Sequence, residues 1–407
     1  MHNELAWRNI WRNPRRTLVI TTAVVIGIWS IILLSALTRG MQREMLGNGI
    51  KTLTGHIQIQ HPEYMDDPVV DYALDEGAID KEVLSKRLPR GSHWTGRIRV
   101  GAVAANARHS GGVTLVGMDP EREPFVSFIG GAVTEGRPLK ASDKSKVVVG
   151  RALLNAYEAR IGHKLILMSQ DTEGEIASKA FRIVGVFDAD LEATEKTYLF
   201  VPFGAAQKML GLGDHLSEVS IVLPEMGDER EVAKAISQAL NTEALTVTTW
   251  QERLPMLAAY LKLSDSFIYI WYGVVFIAMG FGIVNTTLMA VFERIREFGL
   301  IRALGMSPTG IIRGVLLESL FLLVLGLAAG NILGIATVFL IAIHGIDLSA
   351  LAAGTEMWGM PRIIIPVLTP TDILTANGVI VTLGLVVSLY PATKAARITP
   401  VEALRYT

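Results

Sequence analysis

Four stretches of the chain carry no charged side chain: residues 17–37, 266–292, 319–343 and 373–393. Each has at least the roughly 20 residues needed to cross about 30 Å of hydrocarbon at 1.5 Å per residue. A charge near a helix centre costs on the order of 3 kcal/mol on insertion, so uncharged runs of this length predict membrane helices rather than the core of a soluble fold. The first run exceeds the apolar core of a cleaved signal and no small-residue cleavage pattern follows it, so it is read as a retained helix. The third is taken from residue 314, with Glu318 one turn inside it.

Between the first and second runs the period changes. Residues 38–265 alternate apolar and polar positions in short segments bounded by turn residues, which predicts a mixed α/β domain. Strands are predicted at 56–60, 113–116, 147–149, 165–168, 181–186, 198–201 and 219–223, and helices at 79–87, 151–159 and 228–240. One lobe is expected from 55–108 with 217–247, and a second from 111–212. Gly111-Gly112 and Gly130-Gly131 read as turns. Residues 250–265 read as a helix running straight into the second apolar run.

Charge sets the orientation. Arg8, Arg12, Arg15 and Arg16 precede the first run; Arg294, Arg296, Arg302 and Arg313 lie between the second and third; Lys394, Arg397 and Arg405 follow the fourth. The connection between the third and fourth runs has Arg362 against Asp347, Glu356 and Asp372. Basic residues accumulate on the cytoplasmic side, so both termini and the 293–313 turn are expected there and the large domain outside. Residues 38–265 hold 26 basic and 31 acidic side chains, which gives no electrostatic reason to expect nucleic acid. There is no cysteine, hence no disulfide. No phosphate-binding Gly-x-x-x-x-Gly-Lys-Ser/Thr pattern and no His-Glu-x-x-His occurs, and Asp66-Asp67 beside Pro68 reads as a solvated turn. Neither a catalytic residue nor a metal site is therefore expected, and any ATP would be hydrolysed by another polypeptide.

Several segments carry candidate mechanism. Before the first run, Trp7, Ile10, Trp11 and Pro14 share one helical face and Arg8, Arg12 and Arg15 another, as in a helix lying in the membrane interface or a plain topology anchor. The turn at 293–306 alternates charged and apolar residues, with Gly299 and Gly305 as breakpoints for a short helix that either docks on a partner or is solvated. Gly326, Gly330 and Gly334 form a four-residue repeat on which another helix can approach closely, in the same chain or in a second subunit. Glu318 either pairs with a basic residue of the turn or snorkels to water, and Asn285 reads as interhelical glue rather than, as the alternative, a substrate contact.

The sequence Glu293-Arg294, then Arg296-Glu297-Phe298-Gly299-Leu300-Ile301-Arg302-Ala303-Leu304-Gly305, resembles the coupling segment of the FtsX/MacB family of ABC permeases. Leu5-Ala6-Trp7-Arg8-Asn9, Tyr390-Pro391-Ala392 and the tail Ala395-Ala396-Arg397-Ile398-Thr399-Pro400-Val401-Glu402-Ala403-Leu404-Arg405 are similar to that family's two ends. The resemblance implies an α-helical membrane protein with four transmembrane helices (1+3) and a large α/β extracytoplasmic domain like the MacB periplasmic core. The corresponding division is 1–16 interfacial helix, 17–37 first span, 38–265 periplasmic domain, 266–292 second span, 293–313 coupling segment, 314–343 third span, 344–372 external loop, 373–393 fourth span and 394–407 tail. It further implies an inner-membrane permease paired with a second permease, identical or paralogous. A cytoplasmic ATPase holding ATP and Mg would sit on Glu293, Arg294, Arg296, Glu297, Arg302, Leu304, Gly305 and Met306, with residues 397–405 nearby. ATP binding and hydrolysis would then move the external domains.

Within the family, Gly55-His56-Ile57-Gln58-Ile59-Gln60-His61-Pro62 and the long connection 344–372 look like the lipoprotein-releasing branch. The hairpin at 165–184 is short, whereas the matching place in one lipoprotein-releasing subunit resembles a hook that grips a carrier; docking of a periplasmic carrier or adaptor is left open. Gly162-His163-Lys164 stands where many relatives have Gly-Asp. Two functions follow: export or extraction of a lipid, lipoprotein or other amphiphile, with membrane lipids as neighbours, or mechanotransmission to a periplasmic hydrolase or sensor without transport. The size of the external domain favours the first.

Overall fold

A proline opens each of the four long helices, where its missing N–H costs nothing and its fixed φ suits the first turn. They are Pro14–Gly49, Pro255–Glu293, Pro308–His344 and Pro370–Ala396, each long and apolar enough to span a membrane. Ser307 and Thr369 cap the last two by accepting hydrogen bonds from the Gly310 and Asp372 amides. The computed structural model describes residues 7–8, 10–79, 81–225, 227–240, 244–348, 363–399 and 403. The 39 residues of the second helix make about 58 Å, nearly twice the hydrocarbon thickness, so the helix extends well past its uncharged run.

Two compact units are formed, one of residues 1–43, 260–347 and 363–407, the other of residues 44–259 and 348–362. The first is the helical bundle. Its core gathers Val24, Ile28 and Ile32 of the first helix with Met279, Ile283, Leu323, Leu327 and Ile380 of the others. The glycine repeat is spent inside the chain: a Cβ on Gly326 would stand 2.6 Å from Val24 Cβ, and one on Gly330 would overlap the Ile28 side chain. Gly334 faces Ile32 in the same way. This close approach is what small residues permit between membrane helices. Asn331 and Asn377 exchange reciprocal amide hydrogen bonds of 2.8 and 3.0 Å between the third and fourth helices. Asn285, by contrast, lies on the exposed face of the second helix.

The second unit is built on a ten-stranded sheet: β1 (Ile57–Gln60), β2 (His93–Ala105), β3 (Ser110–Met118), β4 (Val133–Gly136), β5 (Lys146–Gly150), β6 (Lys164–Gln170), β7 (Ile176–Phe187), β8 (Tyr198–Pro202), β9 (Glu218–Val222) and β10 (Thr246–Thr249). Six strands pair in a closed ring, β3-β8-β5-β7-β6-β2 and back to β3, with β3/β8 and β5/β7 parallel. The inward residues of every strand of the ring, among them Val100, Leu115, Val149, Leu167, Ile183 and Leu199, fill its interior. On the other side of β2 the sheet continues through β9, β1 and β10, where Ile57, Ile59, Ile221 and Ile236 form a second core.

Several expectations change. The two lobes are two cores on one sheet, because the 13-residue β2 runs through both; its length was hidden by the glycine, arginine and alanine residues that break its apolar alternation. Gly111 and Gly112 are not a turn but part of β3, and a Cβ on Gly111 would reach 3.0 Å from the Tyr157 hydroxyl. Gly130 and Gly131 lie in the short helix Ile129–Ala132, where a Cβ on Gly130 would overlap the Pro124 carbonyl oxygen. The run into the second long helix is interrupted: Trp250–Arg253 is one turn with a Thr249/Glu252 capping box, and Leu254 (φ −122°, ψ 61°) separates it from Pro255. Proline at the start of a helix disfavours helical geometry in the residue before it.

Candidate functional site

The 293–306 segment has its boundaries written locally. The second long helix ends at Glu293, Arg294 leaves helical geometry (φ −112°, ψ 20°), and a short helix runs Ile295–Ala303. Gly305 adopts the left-handed conformation (φ 97°) and donates to the Arg302 carbonyl, while the Met306 amide donates to that of Ile301. This pair of bonds is a Schellman stop, followed at once by the Ser307-Pro308 start of the third long helix. Gly299 is not a breakpoint; it is buried within the short helix.

One face of the short helix is anchored. Ile295, Phe298 and Gly299 are buried, and Phe298 packs into a core with Val291, Ile311, Val315, Ala392 and Ala395. Arg302 donates 3.0 and 2.8 Å hydrogen bonds to the carbonyls of Ala396 and Ile398, satisfying the end of the fourth helix. The opposite face carries Glu293, Arg296, Leu300 and Leu304, with Leu300 64% and Leu304 80% exposed.

Five charges link this segment to the rest of the bundle. Arg294 donates to Glu297 at 2.9 Å and to Glu318 at 3.0 Å; Glu318 also accepts from Arg16, and Glu297 from Arg12. The series Arg12–Glu297–Arg294–Glu318–Arg16 thus joins the segment before the first helix, the first helix itself, the short helix and the third helix. Its outer end is open, with the Arg12 side chain 61% exposed, and its inner end is closed, with Arg16 at 8% and Glu318 at 12%. Burial pushes the Glu297 carboxyl upward, but hydrogen bonds from Arg12 and Arg294 outweigh it and hold it below the usual range. Glu318 therefore pairs rather than snorkels.

Of the residues singled out, Arg294, Glu297 and Arg302 are engaged within the chain, Glu293, Arg296, Leu304 and Gly305 are exposed, and Met306 packs beside the Phe298 core. Arg12, Arg16 and Glu318 complete the site; a basic cluster and a lone intramembrane acid were visible in the sequence, but nothing local tied them together. Among the described residues before the first helix, Ile10 is buried and Trp11 is 59% exposed. Trp7 meets Trp11 and Phe321 edge-on at 6.0 and 5.9 Å. Leu5, Ala6, Asn9, the 349–362 part of the connection, and Pro400, Val401, Glu402, Leu404 and Arg405 of the tail lie outside the described residues.

One long helix, an inserted α/β domain and three further long helices with a charge-tied turn define a membrane subunit of the permease type. Residues 17–239 match the MacB-like periplasmic core domain, and residues 269–400 match the FtsX-like permease C-terminal domain. The chain belongs to the MacB/FtsX family of ABC transporter permeases. It is 26% identical over 304 residues to the lipoprotein-releasing system transmembrane protein LolC of Xylella fastidiosa, covering 71% of this chain and 72% of that one. To the protein of that name from Neisseria meningitidis it is 21% identical over 413 aligned positions, covering 96% and 94%. The pyoverdine export ATP-binding/permease protein PvdT of Pseudomonas putida is 24% identical over 98% of this chain and 59% of its own length. Among solved structures, the periplasmic region of MacB from Actinobacillus actinomycetemcomitans aligns at 13% identity and a TM-score of 0.36, covering 53% of this chain and 97% of that one.

Proposed function

We propose that this permease converts ATP hydrolysis in a separate cytoplasmic ATPase into movement of its external domain, and so extracts or exports a lipid, lipoprotein or other amphiphile from the outer leaflet. It sits in the inner membrane with both termini and the 293–306 segment cytoplasmic, beside a second permease. ATP and Mg belong to the ATPase. The observation that supports this reading is the division of the short helix Ile295–Ala303: one face is fastened to three helices by Phe298, Arg294 and Arg302, and the other presents Leu300 and Leu304 to a partner. An exposed leucine pair flanked by charge suits a groove on another protein, and a fastened inner face carries displacement into the bundle.

The test is to purify the chain with its ATPase, identify every co-purifying band by mass, and reconstitute the complex. Lipid or lipoprotein should accelerate ATP turnover, and Leu304→Glu should release the ATPase without lowering the permease's melting temperature. Acceleration by a soluble cell-wall hydrolase alone would replace transport with mechanotransmission; ATPase retention by Leu304→Glu would move the contact elsewhere.

A further inference from the structure

The third long helix carries a stripe that the described residues cover only in part: Ile312 and Leu316 touch the Phe298 core with one side and are half-buried. Thr309, Ile312, Arg313, Leu316, Leu317 and Leu320 follow one another at three- and four-residue spacing, and with Leu385 of the fourth helix they line a groove of about 340 Å³. The two helices pack well elsewhere: Ile311 and Val315 share a core with Ala392 and Ala395, and a Cβ on Gly384 would stand 2.8 Å from Leu323 Cδ1. The groove is therefore a face the chain leaves open.

Its dimensions and charge select an occupant. Seven residue rises from Arg313 to Leu320 make roughly 10 Å, which lies within the about 15 Å of a single leaflet. Its walls are apolar and include no carboxylate, while Arg313 stands exposed at the end where Thr309 begins the helix. Arg294 and Arg302 are consumed by Glu297, Glu318 and main-chain carbonyls, but Arg313 has no ion pair or side-chain hydrogen bond among the described residues. A guanidinium at the head of an apolar slot that lies within one leaflet matches a phosphate ester carrying an acyl chain.

We propose that this groove holds an acyl chain of an anionic phospholipid from the leaflet adjoining the 293–306 segment, with the headgroup phosphate on Arg313. The site does not depend on which cargo the permease moves. It places a lipid against the same helix that carries Glu318, so the composition of that leaflet bears on the bundle end described above.

Native mass spectrometry of the purified full chain, offered equal phosphatidylglycerol and phosphatidylethanolamine, tests it. Phosphatidylglycerol should be retained in preference. Arg313→Ala should lower its retention about tenfold, as expected for one lost charge-assisted contact, and leave phosphatidylethanolamine unchanged. Leu316→Trp, which fills the slot, should reduce both lipids, and Arg15→Ala, an exposed arginine elsewhere, should change neither. A photo-crosslinker at Leu317 should capture phospholipid in membranes. Undiminished phosphatidylglycerol on Arg313→Ala, an equal loss on Arg15→Ala, or crosslinking of Leu317 to a second copy or another protein would each overturn the proposal.

Discussion

Arginine and glutamate are used in two ways in this molecule. In the α/β domain, Arg97 and Glu123 are both 0% exposed, with the guanidinium Nε donating to both carboxylate oxygens at 2.9 and 3.0 Å. Arg97 also donates at 2.6 Å to the carbonyl of Leu53, a non-glycine residue in the left-handed region (φ 66°), and Gln58 donates to the same oxygen at 2.9 Å. Glu218 accepts from Arg99 at 2.5 Å, and the Tyr64 hydroxyl donates to the Arg99 carbonyl. Burial, then the charge of Glu218, pushes the Tyr64 hydroxyl up to about 12, keeping it a donor at any physiological pH. Such a cluster pins a strained backbone into one geometry. At the bundle end the same residue types form a line graded from exposed Arg12 to buried Arg16. Burial decides the difference: enclosed charges can turn only to one another, whereas a line with one wet end can be opened by water, salt or a partner protein.

The largest effect should come from breaking the enclosed cluster. Glu123→Gln leaves the buried Arg97 with only a 3.6 Å ion pair to Glu218, a carboxylate Arg99 already engages, so the α/β domain should lose about 3–5 kcal/mol, read as thermal protection of that domain from protease in the intact chain. A loss below about 1 kcal/mol would mean that water already reaches Arg97 and would erase the contrast. Glu318→Gln takes the carboxylate from the nearly buried Arg16 while Arg294 keeps Glu297, a loss of about 1.5–3 kcal/mol; thermal unfolding of the helical bundle measures it, and this loss should shrink in high salt while that of Glu123→Gln does not.

The smallest effect is in pH, and its window separates the two regions. His56 in the α/β domain is held below its ordinary value by burial, and its Nδ1 accepts the Leu223 amide at 3.2 Å. A depressed group binds its proton more readily when unfolded, so the domain should lose stability as pH falls below about 6.5. Glu297 is also depressed, so its contribution is present above about pH 4.3 and lost as pH falls through its lower folded value. Acid titration of the intact protein should therefore loosen the α/β domain before the bundle end, and His56→Gln should remove the earlier phase alone. Simultaneous loosening would show that His56 is not the domain's acid-sensitive group.

The chain's local chemistry was enough to determine its plan. Uncharged runs, opening prolines and the Gly305-Met306-Ser307-Pro308 stop and start are decided within a few residues, where hydrophobic periodicity and φ preferences act. Most strand segments were legible for the same reason, but β2, β4 and β10 and the helices Glu192–Thr197 and Phe203–Leu210 were not, since glycines, arginines or short length blur their pattern. Only the tertiary structure closed six strands into a ring, set the glycine repeat against Val24, Ile28 and Ile32, and brought Arg16 to Glu318 across 302 positions. Periodicity reports which face of a segment avoids water; which distant face or charge it meets is settled by how the segments pack, and that information is spread over the whole chain.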